Sequence, residues 1–263
     1  MGESTPSARD CLVLGSGRSG TSMMAGCLAN SGYWSGYQLW EARDANPTGF
    51  FEDREINRIN ERLMASVMPK SLPRRLSRWV PGRLGDNQRW LAALPPETVV
   101  RSNPRIDEAI GHVVSHRPFA IKDPRFTYTM DAWEPLMPDG SAYVVVFRHP
   151  GRTIPSLAKE IADAAYLRNV RLSEAELEER WCVGYERILA AAAGDSSRDR
   201  WVFVHYDQIM SGSGIERLEK ALRTEIDTSI VNPGLKRTAE SHPASVRATA
   251  AYSRLCELAD FEP

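Results

Sequence analysis

The chain has 263 residues, with 33 basic and 34 acidic side chains, a formal net charge of −1 and 42% hydrophobic residues. The near-zero charge balance gives no general case for a nucleic-acid or membrane partner, and the ordinary hydrophobic and charged fractions argue against extensive disorder. The length suits one large α/β domain spanning residues 1–263, with a substantial core.

The N-terminus, MGESTPSARD, lacks the basic region and long apolar stretch of a secretory signal, and no later run approaches transmembrane length. A soluble, cytoplasmic location is therefore the expectation. Cys11, Cys27, Cys182 and Cys256 are scattered without a C-x-x-C pair, and are expected to be reduced and structural. No HExxH and no clustered metal-ligand pattern appears, so no metal is expected.

The first informative stretch is CLVLGSGRSGTSMMAGCL, residues 11–28. Cys11 to Leu14 reads as a buried strand, Gly15, Gly17 and Gly20 permit tight turns, and Met24, Cys27 and Leu28 recur at helical spacing. A helix starting at Thr21 would aim free N–H groups and its positive dipole end at the loop, as an anion site requires. Three readings compete. Gly15, Gly17 and Gly20 fit the dinucleotide pattern G-x-G-x-x-G, with Glu41 near the place of a ribose-binding carboxylate. Gly15 to Ser22 nearly fits a nucleoside-triphosphate loop, but Thr21 stands where that loop has lysine. In the third reading the cation, Arg18, lies inside the loop, and Thr21 and Ser22 add hydroxyl donors. A glycine-rich turn without a ligand is the plain alternative.

The aromatic, carboxylate-rich segment that follows is a candidate acceptor pocket, with Glu41, Glu52 and Asp53 as candidate bases. Glu52 and Asp53 also open EDREINRINERLM, where Ile56, Ile59 and Leu63 recur at helical spacing, so these carboxylates equally suit a helix start. Residues 62–105 are read as irregular and rich in arginine, proline and tryptophan. Arg74, Arg75, Arg78, Arg83 and Arg89 fit either an acceptor lid or membrane-facing segment, or a solvated face, and Trp79 and Trp90 equally suit a core. A helix is expected around Arg105 to Val114. A short strand, Phe119 to Ile121, should then present Lys122, Asp123 and Arg125 at its end, either as active-site charges or as a structural ion-pair corner.

The second informative stretch is SAYVVVFRHPGRTIPSLAKEI, residues 141–161. Ala142 to Phe147 is the clearest buried strand in the chain, and Arg148 leaves its end. A turn at His149-Pro150-Gly151 leads into a helix carrying Ser156, eight residues beyond Arg148. A strand-end arginine and a helix-start serine can converge on a second phosphate.

With these segments in view, the sequence resembles the sulfotransferases that use 3′-phosphoadenosine 5′-phosphosulfate (PAPS). GSGRSGTS resembles their 5′-phosphosulfate loop, and RHPGRTIPS resembles their 3′-phosphate site. KDPRF is similar to a lysine-bearing segment of tyrosylprotein sulfotransferases, NPTGFFEDREINRIN to a segment common in bacterial members, and WVFVHYDQIM to a strand near their C-terminus. The resemblance implies a P-loop-like α/β fold with a mainly parallel sheet flanked by helices. It also implies PAPS as cosubstrate and 3′-phosphoadenosine 5′-phosphate (PAP) as product. Gly17, Arg18, Ser19, Gly20, Thr21 and Ser22 match the 5′ loop, Arg148 and Ser156 the 3′-phosphate contacts, and Lys122 a second active-site cation. Tyr206 is implied beside the nucleotide. The base stays open between Glu41 and Glu52, and Lys236-Arg237 is only loosely similar to a C-terminal phosphate motif.

Helices are expected over Leu172 to Ala192, Ile215 to Leu222 and the C-terminal SVRATAAYSRLCELADF, with a strand at Trp201 to His205. The C-terminal helix suits a cap on the core or a homodimer contact. The activity expected is sulfuryl transfer from PAPS to a hydroxyl or amine of a small-molecule, glycan or lipid acceptor. A dinucleotide-dependent oxidoreductase and a noncatalytic phosphonucleotide-binding protein are the alternatives; the former needs a strand ending at Glu41, where YWSGYQLW is broken by Ser35 and Gly36.

Overall fold

The computed structural model describes residues 7–41, 49–68, 84–232, 234 and 241–263. Arg74, Arg75, Arg78, Trp79, Arg83, Lys236 and Arg237 lie outside the described residues. Four strands, β1 (Cys11–Leu14), β2 (Ala120–Lys122), β3 (Ala142–Phe147) and β4 (Trp201–His205), form one sheet in the order β2-β1-β3-β4. Every pairing is parallel, with Cys11 opposite Ala120 on one side and opposite Ala142 on the other. The sequence places these strands well: β1, β3 and β4 coincide with the expected ranges, and β2 lies one residue later than expected.

A parallel sheet is covered on both faces because each strand must cross over through other chain before the next. The apolar strand runs reflect this. Leu12, Leu14, Tyr143, Val145, Phe147 and Phe203 point to one layer, and Cys11, Val13, Val144, Val146, Val202 and Val204 to the other. Helix α1 (Thr21–Asn30) supplies Met24, Cys27 and Leu28 to the second layer. The first layer is larger and is built from α2 (Arg54–Val67), α3 (Pro104–Val114), α4 (Phe126–Trp133), α5 (Pro150–Asp163), α6 (Glu174–Gly194) and α9 (Val246–Ala259). Two further helices, α7 (Tyr206–Ser211) and α8 (Ile215–Leu222), follow β4. All four cysteines are buried and free.

One expectation needs correction. Within residues 62–105, α2 runs on to Val67, a 3-10 turn spans Arg89–Leu91 and α3 begins at Pro104, while residues 69–83 lie outside the described residues. Arg89 is not a solvated charge: it is buried and paired with Glu61 of α2. Helices α4 and α7 have no counterpart in the sequence reading. FTYTMDAW carries two threonines and three aromatics, residues of weak helix propensity, and forms a helix because Phe126, Tyr128, Met130 and Trp133 are buried against the core. Among the described residues, Tyr33 to Glu41 makes only isolated bridges, Trp34 with Phe119 and Leu39 with Asp53, so no dinucleotide-type second strand leads to Glu41. No described helix is long and apolar enough to cross a membrane.

The entry to α2 is fixed by Asp53. Its Oδ1 accepts from the N–H groups of Glu55 and Ile56 at 2.7 and 3.2 Å, and its Oδ2 from Gln38 N–H at 2.7 Å. Asp53→Ala strips acceptors from three N–H groups, so it should cost about 2 kcal/mol, the upper end for loss of a helix cap. A drop in the urea unfolding midpoint at unchanged slope checks this.

Candidate active site

The carboxyl ends of β1, β2 and β3 all lie on one edge of the sheet, where ligands of open α/β folds collect. From β1 the chain enters the glycine loop. Gly15 has φ 143°, and a Cβ there would sit 2.2 Å from the carbonyl oxygen of Val146. At Gly20, φ is 96° and a Cβ would lie 2.7 Å from Tyr206 Cδ2. These two positions exclude any side chain, which lets the loop press against β3 and α7. Gly20 also provides no side-chain cap for α1, leaving its first-turn N–H groups for an anion to satisfy.

The underside of the loop is tied down by Tyr185 of α6. Its buried hydroxyl accepts from Ser16 N–H at 3.1 Å, donates to the carbonyl of Val146 at 2.9 Å and lies 3.0 Å from Ser19 Oγ. Ser19 is thus turned into the fold. Burial raises the Tyr185 pKa to about 12, so the hydroxyl remains a donor. Arg18 sits at the loop apex with φ 65°, a left-handed conformation that costs a non-glycine residue free energy. Its Nε donates to Ser156 Oγ on α5 at 3.1 Å and lies 3.6 Å from Glu160 Oε2. Glu160 in turn accepts from the Tyr166 hydroxyl at 2.6 Å.

At the end of β3, Arg148 is buried with its guanidinium 4.6 Å above the Tyr206 ring. Burial lowers its pKa, but guanidinium stays charged at neutral pH. Helix α5 begins at Pro150, capped by His149, whose Nδ1 accepts from Gly151 N–H at 3.1 Å. Tyr206 is positioned similarly: it opens α7, which is capped by His205 Nδ1 accepting from Asp207 N–H at 3.1 Å.

At the end of β2, Lys122 Nζ pairs with Glu52 Oε1 and lies 3.4 Å from Ser22 Oγ. Behind this pair, Asn57 of α2 donates through Nδ2 to Asp123 Oδ2 at 2.6 Å and to Glu52 Oε2 at 3.4 Å. Arg125 binds Asp123 through Nη1 at 3.1 Å and Glu61 through Nε at 2.8 Å. Burial alone would lower the Arg125 pKa, but Asp123 and Glu61 outweigh it and the net shift is upward. Buried charges persist only when paired in this way.

The ends of β1 and β2 border a cavity of about 260 Å³ lined by Arg18, Glu52, Lys122, Trp40, Trp90 and Tyr166, among others. Gly17, Thr21 and Ser22 reach the same cavity, and Trp90 packs so near Gly17 that a Cβ there would be 3.2 Å from its ring. Glu41 is exposed and does not line it. Arg148 and Tyr206 lie beside Gly20, on the other side of the loop from Lys122. The ion-pair corner and the active-site charges weighed as alternatives for Lys122, Asp123 and Arg125 form one connected cluster. Sequence reasoning missed Asn57, Glu160 and Tyr185. Asn57 and Tyr185 sit inside ordinary amphipathic helices and Glu160 belongs to no motif, although a buried asparagine between Ile56 and Ile59 is a faint signal.

A glycine loop feeding a helix, cations at or just beyond three neighbouring strand ends and a cavity beside two of them suit an α/β protein that holds phosphate-like groups and receives a second molecule beside them. The pattern of the Sulfotransferase family matches residues 11–223, and the chain belongs to that family. Solved structures agree on the fold. The sulfotransferase domain of the Synechococcus PCC 7002 olefin synthase is similar with a TM-score of 0.54 and 16% identity, over 100% of both chains. The sulfotransferase domain of the curacin biosynthetic pathway gives 0.56 and 14% identity, over 98% of this chain and 99% of that one. A sulfotransferase of Mycobacterium tuberculosis H37Rv gives 0.50 and 14% identity, over 97% of this chain and 78% of that one. No curated protein matches the chain by sequence.

The caps beneath the site carry a pH dependence. Burial lowers the His205 pKa from 6.5 to about 4, so the folded protein keeps this imidazole neutral while the unfolded chain protonates it. The His205 contribution is fully present above about pH 6.5 and is lost as pH falls towards 4. His205→Asn, which keeps a capping acceptor, should flatten the decline in melting temperature over that window.

Proposed function

We propose that the protein transfers a sulfuryl group from PAPS to a hydroxyl of a small-molecule, glycan or lipid acceptor, with an amine acceptor less favoured. The observation that carries this reading is the hydrogen bond from Arg18 to Ser156 at 3.1 Å, which joins the loop after β1 to the helix after β3 beside the Lys122–Glu52 pair. A donor with phosphate at both its 5′ and 3′ positions needs two anion sites on adjoining elements. The 5′ phosphosulfate is assigned to Gly17, Ser19, Gly20, Thr21 and Ser22, and the 3′ phosphate to Arg148 and Ser156, with Tyr206 beside the nucleotide. Ser19 serves by holding the loop on Tyr185, 3.0 Å away. NAD lacks the 3′ phosphate and leaves Arg148 without a task.

The chemistry is an in-line displacement. The acceptor oxygen forms a bond to sulfur as the bond from sulfur to the 5′-phosphate oxygen breaks, and PAP leaves with the bond's electron pair. Positioning and charge neutralisation supply most of the rate in such transfers. Arg18 and Lys122 neutralise charge on the leaving phosphate and the transferred group. Glu52 is the proposed base, because it lines the cavity and pairs with Lys122. As the donor engages Lys122, the Glu52 carboxylate is released to take the acceptor proton. Glu41, exposed and off the cavity, is the weaker candidate.

Calorimetry with PAP, NAD and ATP tests the donor assignment first. PAP should bind selectively, and Arg148→Ala should weaken it by roughly ten- to hundred-fold, as for loss of a charge-assisted contact. A preference for NAD or ATP would overturn the assignment. The base is tested with labelled PAPS and 2-naphthol as probe acceptor. Glu52→Gln should lower turnover by roughly 10²–10⁴-fold while PAP affinity holds, whereas Glu41→Gln should leave turnover near wild type.

A further inference from the structure

The site contains a side chain that neither the family resemblance nor the sequence motifs assign a role. Asn57 lies on the first exposed-to-buried turn of α2, is 6% exposed, and touches the cavity. Its carboxamide is fixed on both sides. Trp40 Nε1 donates to Oδ1 at 2.5 Å, which defines which end of the amide is nitrogen. The two N–H bonds of Nδ2 then serve two carboxylates, Asp123 at 2.6 Å and Glu52 at 3.4 Å. Asp123 cannot drift, because it accepts from Arg125 N–H at 2.7 Å and from Arg125 Nη1 at 3.1 Å, and Arg125 is itself clamped to Glu61.

We infer that Asn57 is the positioning residue of the proposed base: it fixes the Glu52 carboxylate relative to Lys122 and separates it from Asp123. The inference rests on the reading of Glu52 as base. Two carboxylates sharing one donor group need a neutral amide between them, since a third carboxylate would repel both and an apolar residue would leave both short of a donor. Glu52 itself follows Phe51, which has φ 51°, and precedes the cap Asp53, so its backbone is held from both directions, while among the described residues its side chain bonds to Lys122 and Asn57. When Lys122 turns to the donor, Asn57 is the contact that keeps the carboxylate facing the acceptor. This contact is long in the resting state, and catalytic hydrogen bonds commonly tighten only in the reacting complex.

The test is a double-mutant cycle of Asn57→Ala and Glu52→Gln on the full chain, with Asn57→Asp as the near-isosteric charged variant. Labelled PAPS is the donor, and transfer is read to 2-naphthol or, without acceptor, as sulfate released to water. Asn57→Ala should lower kcat by roughly ten- to hundred-fold, the scale of misplacing a reacting group, with KM for PAPS and affinity for PAP within about twofold of wild type. Asn57→Asp should lower kcat at least as far. In the Glu52→Gln background Asn57→Ala should add almost nothing, because the group it positions is gone. Full additivity of the two losses, or a parallel fall in PAP affinity, would overturn the positioning role in favour of general support of the fold. Near-normal turnover by Glu52→Gln alone would instead remove the base and, with it, this role.

Discussion

The parallel pairing of β1 with β3 decides where the chemistry can happen. Cys11 to Leu14 run in register beside Ala142 to Val145, so the loop that leaves β1 and the arginine that leaves β3 emerge from the same sheet edge. The pairing is close enough that Gly15 has no room for a side chain against Val146, and that Tyr185 reaches Ser16 and the Val146 carbonyl with one hydroxyl. Neighbouring β2 adds Lys122 to this edge, opposite Val13. The site is therefore a product of sheet order. Inserting another strand between β1 and β3 would separate the two arginines by roughly a further 5 Å, the spacing of hydrogen-bonded strands.

Charge management is the second constraint. Lys122, Arg125 and Arg89 are buried cations on or behind the cavity wall, and each has a carboxylate partner, in Glu52, in Asp123 with Glu61, and in Glu61 with Asp86. Such pairs offset most of the desolvation cost and contribute little net stability, so their value lies in holding geometry. Glu61 is the hub: it anchors α2 to both Arg125 and the 3-10 turn at Arg89, and Gln88 beside that turn pairs with Asn169 at 2.7 Å. The wall carrying Trp90 is thereby fixed from two directions.

The sequence discloses this architecture unevenly, and the division has a physical basis. Strands buried on both faces appear as unbroken apolar runs, so Cys11–Leu14, Ala142–Phe147 and Trp201–His205 can be read directly. Glycine loops are legible for a similar reason, because their requirement is local to the backbone. Side-chain networks are different. Tyr185 lies more than 160 residues from the loop it supports, and the Asn57–Asp123 bond joins segments 66 residues apart, so neither leaves a local pattern. Helix α7 was hidden because its cap is a histidine, a residue whose capping depends on burial keeping it neutral. That the fold brings Glu52, and not Glu41, to Lys122 likewise leaves no local pattern.

The contact between Gly17 and Trp90 gives this wall a second meaning. The indole packs directly behind the glycine loop while also facing the cavity, so the same ring serves both halves of the site. Shrinking it would open a void against the loop and loosen the backbone there. Trp40 and Phe50 also line the cavity but are not among the atoms nearest Gly17, so a change there leaves the loop's backing intact. Position 90 is thus constrained physically by the loop it supports from behind as well as by the cavity it faces in front.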